Sequence, residues 1–269
     1  MGVLQSLLFG IVSFMASIAG AICGIGGGVI IKPTLDLVGW ASVSTISFLS
    51  GCTVLSMSCY SVGRSMLSGE KSVDVKTGTP LAIGAAAGGV LGKQLFSTVR
   101  SMASNPSIVG GIQAICLAVI TLGTLIYTVN KGRIKTRNVS SISVCLLIGL
   151  LLGIMSSFLG IGGGPINLVV LYYFCSMETK IAAANSLYII LFSQITSLIT
   201  TLVTKTVPEF AFISLAVMVA GGVLGGVVGR SINKKIDSKA VDKLFICLMV
   251  IIIGISLWNT YRYLIIGAQ

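Results

Sequence analysis

Two identical glycine-rich runs are the residues of this chain best suited to binding chemistry. They are Gly24-Ile25-Gly26-Gly27-Gly28 and, 136 positions later, Gly160-Ile161-Gly162-Gly163-Gly164. Successive glycines break a helix and let the backbone approach a ligand closely. A helix that starts after such a break presents unpaired N–H groups and the positive end of its dipole, which together bind anions. Because Pro165 favours a helix start directly after the second run, we expect the two runs to form one site for a small anion.

Polar side chains close to these runs are further candidates for substrate contacts. They are Cys23 and Lys32 around the first run, Asn167 after the second, and Ser50, Asn185 and Ser186 in the helices that follow. An amide inside an apolar segment is costly enough to suggest a role, although ordinary interhelical hydrogen bonds explain many such residues. Lys32 either attracts the anion or extends to the membrane surface. Cys23 is either a packing residue or a thiol beside the site.

Other chemistries have little support in the composition. The chain has no histidine and only seven carboxylates, most of them in predicted loops. Asp36 is the exception near a glycine run, and we expect it to face the surface. The seven cysteines form no metal-binding spacing. We therefore predict no enzyme activity, no metal site and no cofactor. The net charge of +11 lacks the aromatic interleaving of a nucleic-acid surface, so no nucleic-acid partner is expected.

The elements that position these residues are membrane helices. The chain of 269 residues is 55% hydrophobic and 9% charged, which is typical of a polytopic membrane protein in a lipid bilayer. Apolar stretches cover about 3–31, 41–66, 78–97, 107–129, 139–177, 180–204, 209–229 and 243–266. The first and fifth stretches contain the glycine runs, so we predict that each splits into a helix and a short second helix, at about 28–39 and 164–176.

An internal repeat extends beyond the glycine runs. Ser50 and Ser186 are separated by the same 136 positions, and Gly88-Gly89-Val90-Leu91-Gly92 returns at Gly221-Gly222-Val223-Leu224-Gly225. These later glycines indicate close helix packing. We assign residues 1–129 to a first transmembrane repeat, 130–137 to a basic cytoplasmic linker and 138–269 to a second transmembrane repeat. Such repeats are typical of secondary transporters.

The basic residues predict how the repeats are oriented. If each glycine-broken stretch enters and returns from one side of the membrane, twelve of the 18 basic residues share the cytoplasmic side. They are Lys71, Lys76, Lys131, Arg133, Lys135, Arg137, Lys180, Arg230, Lys234, Lys235, Lys239 and Lys243. The predicted fold is therefore all-α, with two inverted repeats and both termini outside. Each repeat contains a glycine-broken re-entrant or paired short-helix element plus three spanning helices.

The glycine runs in both halves, Lys32-Pro33 after the first run and Asn185-Ser186 in the following helix resemble the TauE/SafE family of membrane permeases. The resemblance extends over essentially the whole chain. It implies an anion permease of the cytoplasmic membrane, without cofactor, for sulfite, organosulfonates and related sulfur-containing anions. The family often has a proline after both glycine runs; Pro33 matches this pattern, whereas Val169 stands at the second position.

The resulting hypothesis is a secondary transporter, acting as an exporter of a small sulfur-containing anion by alternating access around the two runs. One alternative is a passive channel for anions or small solutes. Another is a proton-coupled importer of a sulfonate or a carboxylate-like anion. The sequence leaves the anion, the direction and the oligomeric state open, a homo-oligomer being one alternative.

Overall fold

A computed structural model describes residues 3–69, 73–102, 106–139, 141–161 and 163–266. Regular structure in those ranges is entirely helical, which confirms the all-α class. The α-helices are α1 Val3–Cys23, α2 Gly28–Val38, α3 Val43–Leu67, α4 Val75–Met102, α5 Pro106–Asn130, α6 Ile142–Leu159, α7 Pro165–Cys175, α8 Thr179–Val203, α9 Phe212–Lys235 and α10 Ser238–Tyr261. A 3-10 turn at Lys131–Arg133 follows α5, and a π-helical turn at Arg262–Ile266 follows α10.

Most of these helices match the dimensions of a bilayer. Within the described ranges, seven are long and apolar enough to cross a membrane, namely α1, α3, α5, α6, α8, α9 and α10. Helix α4 has 28 residues but falls outside that group, because it is rich in glycine and alanine and carries Lys93 and Arg100. The chain is therefore a multi-pass membrane protein.

Each predicted glycine break separates a long helix from a short one. Helices α2 and α7 have 11 residues each, about 16 Å of helix, and their bounds agree closely with the predicted 28–39 and 164–176. Helices α1 and α6 have 21 and 18 residues, so each is long enough to cross the bilayer by itself. The element is thus a long helix followed by a half-length helix.

The two halves of the chain interlock rather than pack side by side. Helix α1 lies along α9, and α4 lies along α6, so each half supplies a helix to the other. Glycines make these approaches close: a Cβ atom on Gly88 would lie 2.0 Å from the Leu150 carbonyl oxygen, and one on Gly225 would lie 2.5 Å from the Phe14 carbonyl oxygen. The packing role predicted for the later glycines is confirmed.

Loop contacts define two faces of the molecule. Both ends of the described chain lie on one face, here called the terminal face, where Ser6 bonds Ser214 at 2.9 Å and Arg262 donates to the Leu37 carbonyl at 2.6 Å. On the opposite linker face, the Lys131 ammonium lies 2.6 Å from the Asp242 carboxylate. Each of the two pockets described below approaches the breaks from one of these faces.

Candidate functional site

The two glycine breaks meet in the interior of the protein. A Cβ atom on Gly28, the first residue of α2, would lie 2.4 Å from the carbonyl oxygen of Ile161 in the second break. A Cβ atom on Gly164, the residue before α7, would lie 2.5 Å from Val29 Cγ2 in α2. The starts of the two short helices are therefore neighbours, and side chains at these positions would separate them.

A second pair of contacts is related by the repeat of 136 positions. A Cβ atom on Gly24 would lie 2.3 Å from Ala183 Cα in α8, and one on Gly160 would lie 2.8 Å from Ser47 Oγ in α3. Ser47 and Ala183 are themselves 136 positions apart. Each break thus lies against the helix that follows the other break.

The backbone at the breaks requires glycine. Gly24 and Gly160 end α1 and α6 with φ values of 75° and 66°, in the left-handed region that side chains disfavour. Their N–H groups donate to the Gly20 carbonyl at 2.8 Å and the Ser157 carbonyl at 3.2 Å, respectively. The two long helices consequently end in the same way, and the chain turns directly into the short helix.

Both short helices begin without a side-chain cap. Gly27 and Gly164 are the residues before α2 and α7, and neither has a side chain that could accept a hydrogen bond. The first N–H groups of a helix have no acceptor within it, so those at Gly28, Val29 and Ile166 have none inside their own helices. These N–H groups and the two helix dipoles form a weakly positive region where the breaks meet.

The predicted site residues on the breaks have different surroundings. Ile25 and Ile161 are buried hydrophobic side chains, and Cys23 is buried at the end of α1. Gly26 and Gly163 both lie against Ile190 of α8, with their Cβ positions 3.1 and 2.5 Å from its side chain. Gly162, also predicted as a site residue, lies outside the described residues.

Several predicted polar side chains are buried near the breaks. Asn167 lies in the first turn of α7 with its amide nitrogen 2.9 Å from the Cβ position of Gly163. Ser50 and Ser186 lie one helical turn before Val54 and Ile190, both of which contact Gly26. Among the described residues, the Asn167 Oδ1 atom and the Ser50 and Ser186 hydroxyls have no hydrogen-bond partner.

Asn185 serves the architecture directly. Its Oδ1 atom accepts the Asp74 N–H at 3.0 Å, and its Nδ2 atom donates to the Ile181 carbonyl at 2.8 Å. The side chain thereby ties α8 to the start of α4. Its predicted role in substrate binding stays a prediction.

Lys32 and Asp36 form a buried ion pair on α2. The Lys32 Nζ atom lies 3.7 Å from the Asp36 carboxylate and donates to Gln113 Oε1 at 2.7 Å, and Gln113 in turn donates to the Phe158 carbonyl. The expectation that Asp36 faces the surface is wrong, since it is 6% exposed, and Lys32 does not extend to the surface either. Residues four apart share a helix face, which explains why Asp36 lies beside Lys32 in the interior of the protein.

Sequence reasoning missed Gln113 altogether. The available signal was an amide within the apolar stretch 107–129, but nothing local connects it with Lys32, 81 positions away. The Lys32 Cε atom also lies 3.5 Å from the Cβ position of Gly160. A cation from the first break therefore reaches the second break.

Two pockets approach the breaks from opposite faces. The terminal pocket, with a volume of about 150 Å³, is lined by residues that include Ser44, Cys52, Lys93, Ser156, Gly160 and Thr201. The linker pocket, with a volume of about 310 Å³, is lined by residues that include Ala21, Ser61, Ser65, Lys180, Ala183 and Arg230. The first half of α3 and the second half of α8 share the terminal pocket, whereas the second half of α3 and the first half of α8 share the linker pocket. Helices α3 and α8 therefore run antiparallel.

The family comparison covers both halves and both breaks. A family model described as Sulfite exporter TauE/SafE matches residues 9–257. No curated protein and no solved structure matches the chain. The match includes both glycine breaks, all six residues named for each pocket and 249 of the 269 positions. The chain therefore belongs to the TauE/SafE family of sulfite- and sulfonate-exporter-type membrane permeases.

Proposed function

We propose that the protein is a secondary transporter that exports a small sulfur-containing anion, such as sulfite or an organosulfonate. The anion binds between the two GIGGG breaks, and the protein moves it by alternating access. The observation that carries this proposal is the convergence of two helix starts, Gly28 of α2 against Ile161 and Gly164 before α7 against Val29.

The chemistry at the breaks favours an anion over a cation or a neutral solute. Uncapped helix starts offer N–H donors and two positive dipole ends. The ammonium of Lys32, which is paired with Asp36, belongs to a side chain that lies beside Gly160. Ser50, Asn167 and Ser186 add buried polar groups, of which Asn167 supplies an amide donor. A sulfite or sulfonate group has three oxygen atoms around sulfur, so it accepts hydrogen bonds from several directions at once.

The paired contacts support inverted repeats and alternating access. Exchange of the halves converts the Gly24–Ala183 contact into the Gly160–Ser47 contact, and the corresponding helices α3 and α8 run antiparallel. Each pocket reaches one of these contacts: Gly160 lines the terminal pocket, and Ala183 lines the linker pocket. Rocking of one half against the other would open one pocket while it closes the other.

The distribution of charge supports export as the direction of transport. The positive-inside rule assigns the linker face, with Lys131, Lys180 and Arg230, to the cytoplasm. A membrane potential that is negative inside then drives a monovalent anion outward by about 2.3 kcal/mol per 100 mV. Export consequently needs no coupling ion.

One observation favours a second candidate, proton-coupled import. Asp36 is a buried carboxylate whose partner Lys32 lies beside Gly160, so protonation of Asp36 would change the charge next to the proposed site. Proteoliposomes with a pH gradient and no membrane potential separate the two candidates. Accumulation driven by the pH gradient supports coupled import, and its absence together with potential-driven flux supports export.

The primary test is counterflow in proteoliposomes that contain the purified protein. Vesicles loaded with unlabelled sulfite, kept anaerobic, are expected to accumulate labelled sulfite transiently above its external concentration, because a carrier exchanges substrate against a gradient. Equilibration without overshoot would identify a passive channel. The panel includes thiosulfate, sulfoacetate, taurine, isethionate and formate, and failure of every sulfur-containing anion to exchange would overturn the proposal.

A further inference from the structure

The terminal pocket contains cations that the central breaks do not use. We propose that this pocket is a second anion-binding site, which holds a sulfite or sulfonate group between the breaks and the terminal face. The identity of the anion rests on the proposed function, whereas the charge of the site rests on the pocket itself.

Lys93 gives the pocket a positive charge without a paired carboxylate. Its Nζ atom lies 3.4 Å from the Ser197 carbonyl oxygen, 3.5 Å from Ser197 Oγ and within hydrogen-bonding distance of Thr201 Oγ1. These acceptors are neutral, and among the described residues no carboxylate lies within 4.0 Å of Lys93. The Lys93 side chain is half-buried, and its ammonium group faces α8.

Arg100 adds a second cation at the mouth of the same pocket. It follows Lys93 by seven residues, or two turns, on the same side of α4, and its exposed guanidinium also borders a surface cleft that contains Glu209. No ion pair within 4.0 Å joins Arg100 to Glu209 or to another described carboxylate. An entering or leaving anion therefore meets positive charge at the mouth and again in the wall.

Hydroxyl groups supply neutral donors at the inner end of the pocket. Ser156 is 2% exposed, and its Oγ atom has no hydrogen-bond partner among the described residues. The Oγ atoms of Ser47 and Ser157, which also line the pocket, have none either. Because a buried hydroxyl without a partner costs free energy, a ligand oxygen that accepts from these groups would recover that cost.

The size and the apolar wall of the pocket match a short organosulfonate. A cavity of about 150 Å³ accommodates a molecule the size of benzene, which is larger than sulfite and comparable with a two- or three-carbon sulfonate. Phe48, Phe96 and Leu198 line the pocket beside the cations and hydroxyls. The polar groups suit the sulfonate oxygens, and the apolar side chains suit the carbon chain.

The linker pocket holds its cations differently. Arg230 donates to the Ser61 carbonyl at 2.8 Å and to the Ser68 hydroxyl at 3.3 Å, and Lys180 lies at the start of α8. With the 133-residue offset of the α4 and α9 glycines, Gly226 occupies the position that corresponds to Lys93. The lysine of α4 is thus not repeated at the corresponding position of α9.

Cys52 provides a native reporter, because it lines the terminal pocket and is half-buried. Two methanethiosulfonate reagents of similar size, one with a sulfonate group and one with a trimethylammonium group, label the thiol in the purified full-length protein. The thiolate attacks the reagent to form a mixed disulfide and releases methanesulfinate. Peptide mass spectrometry isolates the Cys52 rate, and division by the rate of a free thiol in solution removes the intrinsic difference between the reagents.

The normalised rate for the anionic reagent is expected to exceed that for the cationic reagent by about tenfold, because a charged pocket concentrates counter-ions by at least that factor. Lys93→Gln should bring the ratio close to one, and Lys93→Arg should preserve it. Lys205→Gln removes a charge from an exposed loop on the same face and serves as the matched control, with an unchanged ratio. Ethanesulfonate should protect Cys52 from labelling, and neutral methanesulfonamide should not.

A ratio near one in the wild type, or a ratio unaffected by Lys93→Gln, would overturn this proposal. If Lys93→Gln does not fold, exposed Arg100→Gln must lower the ratio partially for the proposal to survive. The labelling does not depend on transport, so the two proposals fail separately. Anion exchange without charge-selective labelling would remove the second site only, and charge-selective labelling without exchange of any anion would remove the transport proposal only.

Discussion

The two glycine breaks have the same sequence and different neighbours. Substituents on Gly24 and Gly28 would meet backbone, at Ala183 Cα and the Ile161 carbonyl oxygen. Substituents on the corresponding Gly160 and Gly164 would meet side-chain atoms, Ser47 Oγ and Val29 Cγ2. Because side chains rotate more easily than backbone shifts, we predict that the first break is the more rigid half of the proposed site and that the second break has more room to adjust.

The short helices that follow the two breaks also differ in their charged residues. The short helix of the first break carries the buried Lys32–Asp36 pair, and the corresponding positions in α7 are Leu168 and Tyr172. Helix α7 instead buries Asn167, where α2 has Ile31. The comparison indicates that the duplicated backbone forms the shared part of the site, while the charged pair belongs to one half and the amide to the other.

The largest expected difference between the halves is at Lys32. Lys32→Met leaves the Asp36 carboxylate buried without its cation, which should destabilise the protein by about 3–5 kcal/mol. Leu168→Met at the equivalent position is volume-conserving and should cost less than about 1.5 kcal/mol. Equilibrium unfolding in mixed micelles measures both values.

The double variant Lys32→Met with Asp36→Asn tests the reason for that loss. Removal of both charges should recover a large part of the stability lost in Lys32→Met, since the uncompensated charge is gone. Equal losses in the single and double variants would mean that the packing of the Lys32 side chain, rather than the ion pair, distinguishes the first break.

The next largest difference concerns Gly24 and Gly160. Gly24→Ala combines a left-handed φ of 75° with a Cβ atom 2.3 Å from Ala183 Cα, so we expect a loss of about 2–4 kcal/mol. Gly160→Ala carries a similar φ penalty, but rotation of Ser47 relieves part of the clash, so we expect about 1–2 kcal/mol.

Thermal unfolding of the purified variants ranks them, with Gly254→Ala as a control because a Cβ atom at Gly254 meets open space. Ser47→Ala should partly rescue Gly160→Ala by removing the Oγ atom that lies 2.8 Å away. If Gly160→Ala were the more damaging variant, the proposed order of rigidity would be reversed.

These comparisons also mark what the sequence could predict. The duplicated glycines, the apolar stretches and Pro165 were sufficient for the helix breaks and for the bounds of α2 and α7, because they act through local backbone preferences. The link from Lys32 to Gln113 depended on the position of α5, and the Asp36 carbonyl is met by Arg262 after α10; no local pattern encodes either approach. The orientation of Lys93 is likewise not encoded locally, since only the positions of Ser197 and Thr201 show that its ammonium faces α8.

Substitution of Asn167 tests whether the buried amide of α7 contributes to substrate binding. Asn167→Leu replaces a buried Oδ1 atom that has no partner among the described residues, so stability should stay constant or rise by about 1 kcal/mol. Transport should fall by about tenfold or more, because a hydrogen bond to a charged ligand contributes about 1.5–3 kcal/mol. Counterflow rates and unfolding midpoints measured on the same preparation give both numbers.

Ile31→Val is the matched control in the first half. Ile31 is the α2 counterpart of Asn167 and carries no polar group. Transport should therefore remain within about twofold, while the protein loses about 0.5–1.5 kcal/mol of stability. If Asn167→Leu retained full transport, the second break would bind its ligand through backbone N–H groups without this amide.

The smallest expected effect is at Cys23, which ends α1 directly before the first break. The buried thiol packs in the same apolar cluster as Leu159, its counterpart at the end of α6. Since the equivalent residue of the second break is a leucine, reactive sulfur is not a shared requirement of the two halves.

Cys23→Ala should therefore retain anion exchange within about twofold, with a stability loss of about 1 kcal/mol from the missing packing. Counterflow with sulfite and with ethanesulfonate is the decisive measurement, because the two anions differ in size and charge and therefore depend differently on contacts with the Cys23 side chain. Loss of sulfite exchange alone would indicate that the Cys23 thiol contacts sulfite directly, whereas loss of both would indicate that packing of Cys23 sets the geometry of that break.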